Sequence, residues 1–365
     1  MDRRDLLAAV AAASGTGMIA GCTGEDDQLE GETFENPVFE PTLADPSIIR
    51  VPESGAPSRA VTEPDQDAYE GTFYAYGTED NWYGESSRHD THGLQYMPIV
   101  RSTDLVEWEY VGEVFNNKPD WKDGGGLWAP EIAYYNDQFY LYYAYSEWGD
   151  PNPGIGVAVA DDPDGPFEDH GKLFDSDGIG VDNSIDPFFH VDDGTPYLVW
   201  GSWYGIWGVA LSDDGFEVSG EPFRIAANDH FEAPYIIERD DQYYFFGSNG
   251  HCCNGADSDY HVIVGRADSF EGPYLNMDDE PIERNPGTTV LDRGEEFIGP
   301  GHNAVIQDDA GDDWLVYHAY DADNLWIDDT PRRALMVERI HWEDGWPTIR
   351  DGVPSLEEEL PEIDG

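Results

Sequence analysis

The chain has 365 residues, and Lys+Arg 18 against Asp+Glu 77 gives a formal net charge of −59, which excludes nucleic acid and anionic membrane surfaces as partners through like-charge repulsion. Hydrophobic residues at 39% and aromatic residues at 13% support a large core and exclude a disordered chain. The acidity is spread along the whole sequence, a distribution suited to a surface kept hydrated in strong brine, so a halophilic source is expected.

In chain order, the first element reads as an export signal. Arg3 and Arg4 precede an apolar stretch from Leu6 to Ala20 that ends in Gly21-Cys22. Twin arginines, a short apolar region and small residues before a cysteine predict Tat export and lipid attachment at Cys22, with residues 1–22 as the signal. A plain cleaved signal is the alternative. Acidic residues 23–35 then read as a flexible tether, residues 36–350 as the folded domain and residues 351–365 as an acidic tail. Only Cys252 and Cys253 remain after processing, and neighbouring cysteines bridge only through a strained small ring, so no disulfide framework is expected.

The domain itself reads as all-β, because Gly 40, Pro 25, Tyr 21 and Trp 12 favour short strands joined by turns. Three segments align without gaps, starting at Ala129-Pro130, Asp186-Pro187 and Ala233-Pro234, and in each a tyrosine ten residues after the proline opens an apolar run. Turn residues separate the two halves of each repeat: Asn136-Asp137, Asp192-Asp193-Gly194 and Asp240-Asp241. A fourth copy runs from Gly301-His302-Asn303 into Trp314 to Tyr317. Another begins at Asp45-Pro46 and resumes at Thr72, after a long polar insertion. Five hairpins predict a five-bladed β-propeller, in which the innermost strands start side by side around one axis.

The strand heads carry Asp45, Glu131, Asp186, Glu232 and His302. Glu131 follows its Ala-Pro pair whereas Glu232 precedes its own, and an odd shift along an extended segment reverses the side chain, so Glu131 reads as a structural acid. Asp-Pro and Glu-Ala-Pro are ordinary turn starters when met singly. Three carboxyls at matched positions instead suit glycoside hydrolysis. One activates water, a protonated one donates to the leaving oxygen, and a third raises the acid's pKa by like-charge repulsion. Carboxyls about 6.5–9.5 Å apart give inversion. His302 either binds an axial metal ion or hydrogen-bonds a carboxylate. Trp128, Trp203, Tyr204 and Trp207 lie near the same rim, where indoles stack on sugar C–H faces, and the remaining tryptophans and tyrosines read as interblade core.

The ordered stretches Asp45-Pro46-Ser47-Ile48-Ile49, Trp128-Ala129-Pro130-Glu131-Ile132, Ser184-Ile185-Asp186-Pro187, Glu232-Ala233-Pro234-Tyr235-Ile236, Cys252-Cys253-Asn254-Gly255 and Gly299-Pro300-Gly301-His302-Asn303 resemble glycoside hydrolase family 43, and within it the endo-1,5-α-L-arabinanases. The resemblance implies Asp45 as general base, Asp186 as pKa modulator and Glu232 as general acid of an inverting enzyme acting on arabinan. It also implies sugar contacts at Trp128, Asn183, Trp203 and Cys253, and a calcium-like ion held by His302 and water. Glu131 stands where relatives often have aspartate, and the insertion from Pro52 to Gly71 is a second departure. An exo-acting α-L-arabinofuranosidase or β-xylosidase keeps the same site, and a non-catalytic polysaccharide-binding propeller is the reading from another class. A monomer outside the cell, anchored through Cys22, completes the expectation.

Overall fold

A computed structural model of the protein describes residue 29 and residues 31–52, 71–82, 93–226, 231–283 and 286–363. The expected signal with Cys22, most of the tether and nearly all of the Pro52–Gly71 insertion lie outside the described residues. Among the described residues five four-stranded antiparallel sheets follow one another along the chain, numbered here as blades I to V. Their innermost strands are Ser47–Pro52, Gly126–Tyr135, Phe188–Asp192, Phe231–Arg239 and Phe297–Gln307, and each neighbours the next in a closed cycle. The fold is the five-bladed propeller that the hairpin repeats predict.

The turn residues act as their chemistry requires. Tyr135 pairs with Gln138, Asp192 with Thr195 and Arg239 with Gln242, leaving two-residue loops. The loop residues have φ of 47° and 63° (Asn136, Asp137), 50° and 80° (Asp193, Gly194) and 52° and 60° (Asp240, Asp241). Two successive left-handed residues match the twist of the flanking strands, and Asn, Asp and Gly tolerate that conformation best.

Tyrosines knit neighbouring blades together. Tyr135, Tyr140 and Tyr142 of blade II donate their hydroxyls to the backbone oxygens of Asp213, Asp214 and Gly215 in blade III, at 2.8, 3.1 and 3.0 Å. The Tyr142 ring stacks on Phe189 with centroids 5.3 Å apart. Each ring thus buries apolar area while its polar end finds an acceptor.

Closing the ring brings distant segments together. The Asn36 side chain donates to Val337 O at 3.0 Å and accepts from Val337 N at 3.1 Å, and Val38 N donates to Leu335 O at 3.0 Å. Thr33–Glu35 pairs with Glu357–Glu359, so ordered pairing extends past the expected 36–350 domain at both ends. Glu358 is buried there with its charge met by Arg350 at 3.2 Å, which is why three successive glutamates form a strand instead of a loose tail.

At the end of the channel away from the strand heads, Arg50 of blade I grips Asp309 of blade V through two hydrogen bonds of 2.7 and 3.2 Å, both side chains being almost fully buried. Removing one partner takes this counter-charge from the other at a buried site. Arg50→Met is therefore expected to destabilise the fold by roughly 3–5 kcal/mol. The check is the urea unfolding midpoint, and an unchanged midpoint would mean that this ion pair plays no part in holding the ring shut.

Candidate active site

The strand heads share a backbone device. Each of five residues has a left-handed φ: Asp45 53°, Ala129 45°, Asp186 56°, Ala233 54° and His302 49°. In blades II, IV and V the register of the innermost pair shifts at this point, the mark of a bulge. Four of the five precede proline, where sterics push a residue toward extended φ, so the conformation is strained by about 1–3 kcal/mol per residue. Structural equivalence therefore sets Asp45 and Asp186 beside Ala129, Ala233 and His302. This corrects the matched set read from sequence: Glu232 stands one residue before the bulge and Glu131 two residues after it, because the bulge changes the parity that a regular strand keeps.

A bulged N–H leaves its own ladder and needs another acceptor. Neighbouring blades supply it. Ala129 N donates to Thr78 Oγ1 at 2.9 Å, His302 N to Ser248 Oγ at 2.8 Å and Asp45 N to His318 Nδ1 at 3.0 Å, while Ala233 N bonds the Asp186 carboxyl. The bond from Asp45 to His318 closes the ring, and it assigns the His318 proton to Nε2. Gly301, just before His302, has no room for a side chain, since a Cβ there would lie 2.2 Å from the Tyr260 ring.

The three carboxyls are buried together at this rim and differ in charge. Burial would raise the Asp45 carboxyl, but the Arg333 charge, with the Thr78 hydroxyl, outweighs it and holds the group well below the usual carboxylate range. Arg333 Nη1 donates to Oδ1 at 2.9 Å and Thr78 Oγ1 to Oδ2 at 2.5 Å. His302 Nδ1 is 3.3 Å from Oδ1. Asp186 goes the other way: burial, then the charge of Glu232, then that of Asp45 push its carboxyl well above normal. Glu232 is raised chiefly by burial, with the Ser202 hydroxyl donating to Oε2 at 2.9 Å and Tyr260 and Trp203 nearby. Interacting buried carboxyls titrate as a pair, and this pair keeps a proton under conditions where Asp45 has none.

Glu131 is buried away from this trio. Ser47 Oγ donates to it at 2.7 Å and Phe189 N at 3.3 Å, so it ties blade II to blades I and III, and burial pushes it up to about 8. The structural role expected of it holds.

An ionised carboxylate and a protonated carboxyl pair at the mouth of a propeller channel form the equipment of a glycosidase. The description "Glycosyl hydrolases family 43" belongs to a family model that matches residues 58–347. The chain belongs to glycosyl hydrolase family 43. Asp186, Glu232 and His302 lie inside the matched span and Asp45 stands before it. Among relatives of this hydrolase, the extracellular exo-α-(1→5)-L-arabinofuranosidase of Cellvibrio japonicus is 32% identical over 283 residues, 69% of this chain and 80% of its own. The extracellular endo-α-(1→5)-L-arabinanase 1 of Bacillus subtilis is 31% identical over 308 residues, 80% of this chain and 89% of its own. Among solved structures, Cellvibrio cellulosa α-L-arabinanase complexed with arabinohexaose aligns with a TM-score of 0.69 at 29% identity, covering 85% of this chain and 96% of that one.

Trp128 and Trp203, two of the expected sugar contacts, stand beside the strand heads of blades II and IV. Trp128 precedes the blade II bulge and tilts against Trp148, a residue 79% exposed, with ring centroids 5.7 Å apart. Asn183 Nδ2 donates to Ser202 O at 2.9 Å. Trp203 faces Glu232 and lies against His251, with ring centroids 4.9 Å apart. Cys253 is bonded to Cys252 in a disulfide between neighbours, which closes no long loop and so leaves stability to packing.

Sequence reasoning missed Arg333, His318, Thr78 and Tyr260. One signal was available: Arg332-Arg333 stands directly before the apolar run Ala334 to Val337, in a chain poor in cations. A buried cation of that kind calls for a buried partner.

Proposed function

We propose that the enzyme cleaves α-1,5-L-arabinofuranosidic linkages of arabinan with inversion, by endo action. Asp45 is the general base, Glu232 the general acid, and Asp186 the neighbour that keeps the acid protonated and fixes its orientation. The observation that carries the mechanism is the opposite ionisation at one rim: Asp45 held charged by Arg333, and a proton retained by the Asp186–Glu232 pair. The sugar rests on what relatives act on, as their names give it. Water activated by Asp45 attacks C1 from one face while the carboxyl of Glu232 protonates the leaving oxygen on the other. Asp186, with its bond from Ala233 N, stays in place through both steps. Trp128, Asn183, Trp203 and Cys253 are the proposed sugar contacts, with Trp148 extending the aromatic surface.

His302 is the proposed ligand of an axial calcium ion. Among the described residues no three His, Cys, Asp or Glu side chains gather to hold a metal, so water must fill most of the coordination. The chain's own groups fit that arrangement: burial keeps the His302 imidazole neutral, and the buried side-chain amide of Asn303 has both polar atoms without a protein hydrogen-bond partner. When bound, the ion adds positive charge near Asp45 and fixes the imidazole. Export with a lipid anchor at Cys22, a monomeric state and a saline habitat are proposed from the sequence features given above.

The test is digestion of linear arabinan, branched arabinan and xylan in high salt, with and without chelator, followed by product sizing and proton NMR of the first anomer released. A ladder of oligosaccharides of inverted configuration supports the reading. Arabinose alone from the outset points to exo action, and retention of configuration rules the mechanism out. A thermal midpoint unmoved by chelator removes the calcium proposal.

A further inference from the structure

We propose that Thr78 is a positioning residue for Asp45: its single hydroxyl ties the carboxylate to the head of blade II and leaves Oδ2 as the oxygen that takes the proton from water. The proposal rests on the reading of Asp45 as general base.

Thr78 is buried in the loop that follows the second strand of blade I, Gly71–Tyr76. Its backbone and its side chain grip two consecutive residues, since Thr78 N donates to Ala44 O at 2.9 Å and Thr78 Oγ1 to Asp45 Oδ2 at 2.5 Å. Gly77 makes the approach possible: a Cβ there would lie 2.9 Å from the Leu43 side chain and 3.2 Å from Ala44 O. The same loop is stitched to blade II. Ala129 N donates to Thr78 Oγ1 at 2.9 Å, Glu79 N to Leu127 O at 2.8 Å, and Leu127 N to Glu79 Oε2 at 3.0 Å. Trp128, a proposed sugar contact, stands between the two residues held in this way.

A hydroxyl has one proton to give. The Ala129 N–H occupies a lone pair of Oγ1, which turns the Thr78 proton toward Asp45. The two carboxylate oxygens are thereby made unequal. Oδ1 accepts from Arg333 Nη1 at 2.9 Å and has the Nδ1 atoms of His302 and His318 at 3.3 and 3.4 Å. Oδ2 accepts from Thr78 alone among the described residues and keeps a lone pair for water. With both oxygens anchored, the carboxylate does not swing about its Cβ–Cγ bond. Its angle to the water is set by the strand head that also carries Trp128.

Thr78→Val keeps the shape and deletes the hydroxyl, while Arg333, His302, His318, Asp80, Asp186 and Glu232 around Asp45 stay in place. On an arabino-oligosaccharide kcat is expected to fall about tenfold or more with KM little changed, because a displaced base weakens the transition state rather than substrate binding. On an aryl α-L-arabino-oligosaccharide with an acidic phenol as leaving group the loss is expected to be as large, since water must be activated there too. Thr78→Ser, which keeps the hydroxyl, should recover most of the lost kcat on both substrates. A change confined to KM, a loss confined to the poorer leaving group, or a serine variant as slow as the valine one overturns the proposal. Asp45→Asn is the control: if it retains activity, the base assignment fails. If Asp45→Asn is impaired and Thr78→Val is not, only the positioning role fails. Should Thr78→Val not fold, Thr78→Cys keeps the size with only a weak donor, and a kcat equal to that of the serine variant overturns the proposal there too.

Discussion

Asp45→Asn is expected to lower kcat on linear arabinan by about 10²- to 10⁴-fold, and Glu232→Gln by a similar factor, with KM changing far less in both. The amide at position 45 cannot take a proton from water, and the amide at position 232 has none of suitable acidity to give. The two act in one transition state, so the double variant should be little worse than either single one. Binding of arabinan, measured by isothermal titration, should survive each change, because neither removes the aromatic surface of Trp128 and Trp148. Full activity in both variants would leave a polysaccharide-binding propeller as the better account.

Arg333→Met should reduce kcat/KM at neutral pH by at least tenfold and displace the acidic limb of its pH profile upward. Arg333 heads the groups that hold the Asp45 carboxyl down against its burial. The sign follows: a base with a depressed pKa is ionised well into acid, and losing the cation lets burial raise that pKa, so the base is protonated at pH values where the parent is active. Methionine fills the volume without the charge, which separates electrostatics from packing. Asp80 is a half-buried neighbour of the same guanidinium, pushed up to about 7 by desolvation, and it loses a counter-charge as well. A profile with the parent's acidic limb would show that Arg333 does not set the ionisation of Asp45.

The sequence carried much of this in local chemistry. Asn136-Asp137, Asp193-Gly194 and Asp240-Asp241 announced their turns because few other residues accept two left-handed conformations in succession. The proline repeats and the apolar runs after them placed four of the innermost strands, and Gly301-His302-Asn303 with the run from Trp314 placed the fifth. Asp45, Asp186 and Glu232 stood out because carboxylates recurring at strand heads have little structural excuse once three of them must share one rim.

What only the tertiary structure decided is how those carboxyls differ. Parity arguments assume a regular strand, and the bulges at Ala129, Ala233 and His302 break it, so a sequence alignment cannot by itself say which acid is structurally equivalent to which. Arg333 and His318 reach Asp45 from outer strands of blade V, 288 and 273 residues away, and they arrive only because the last blade closes on the first, while Thr78 comes from the loop that follows the second strand of blade I. Residue types and turns are local properties, readable from the chain. Charge state at a buried site is a sum over neighbours at a few Å, and ring closure chooses those neighbours.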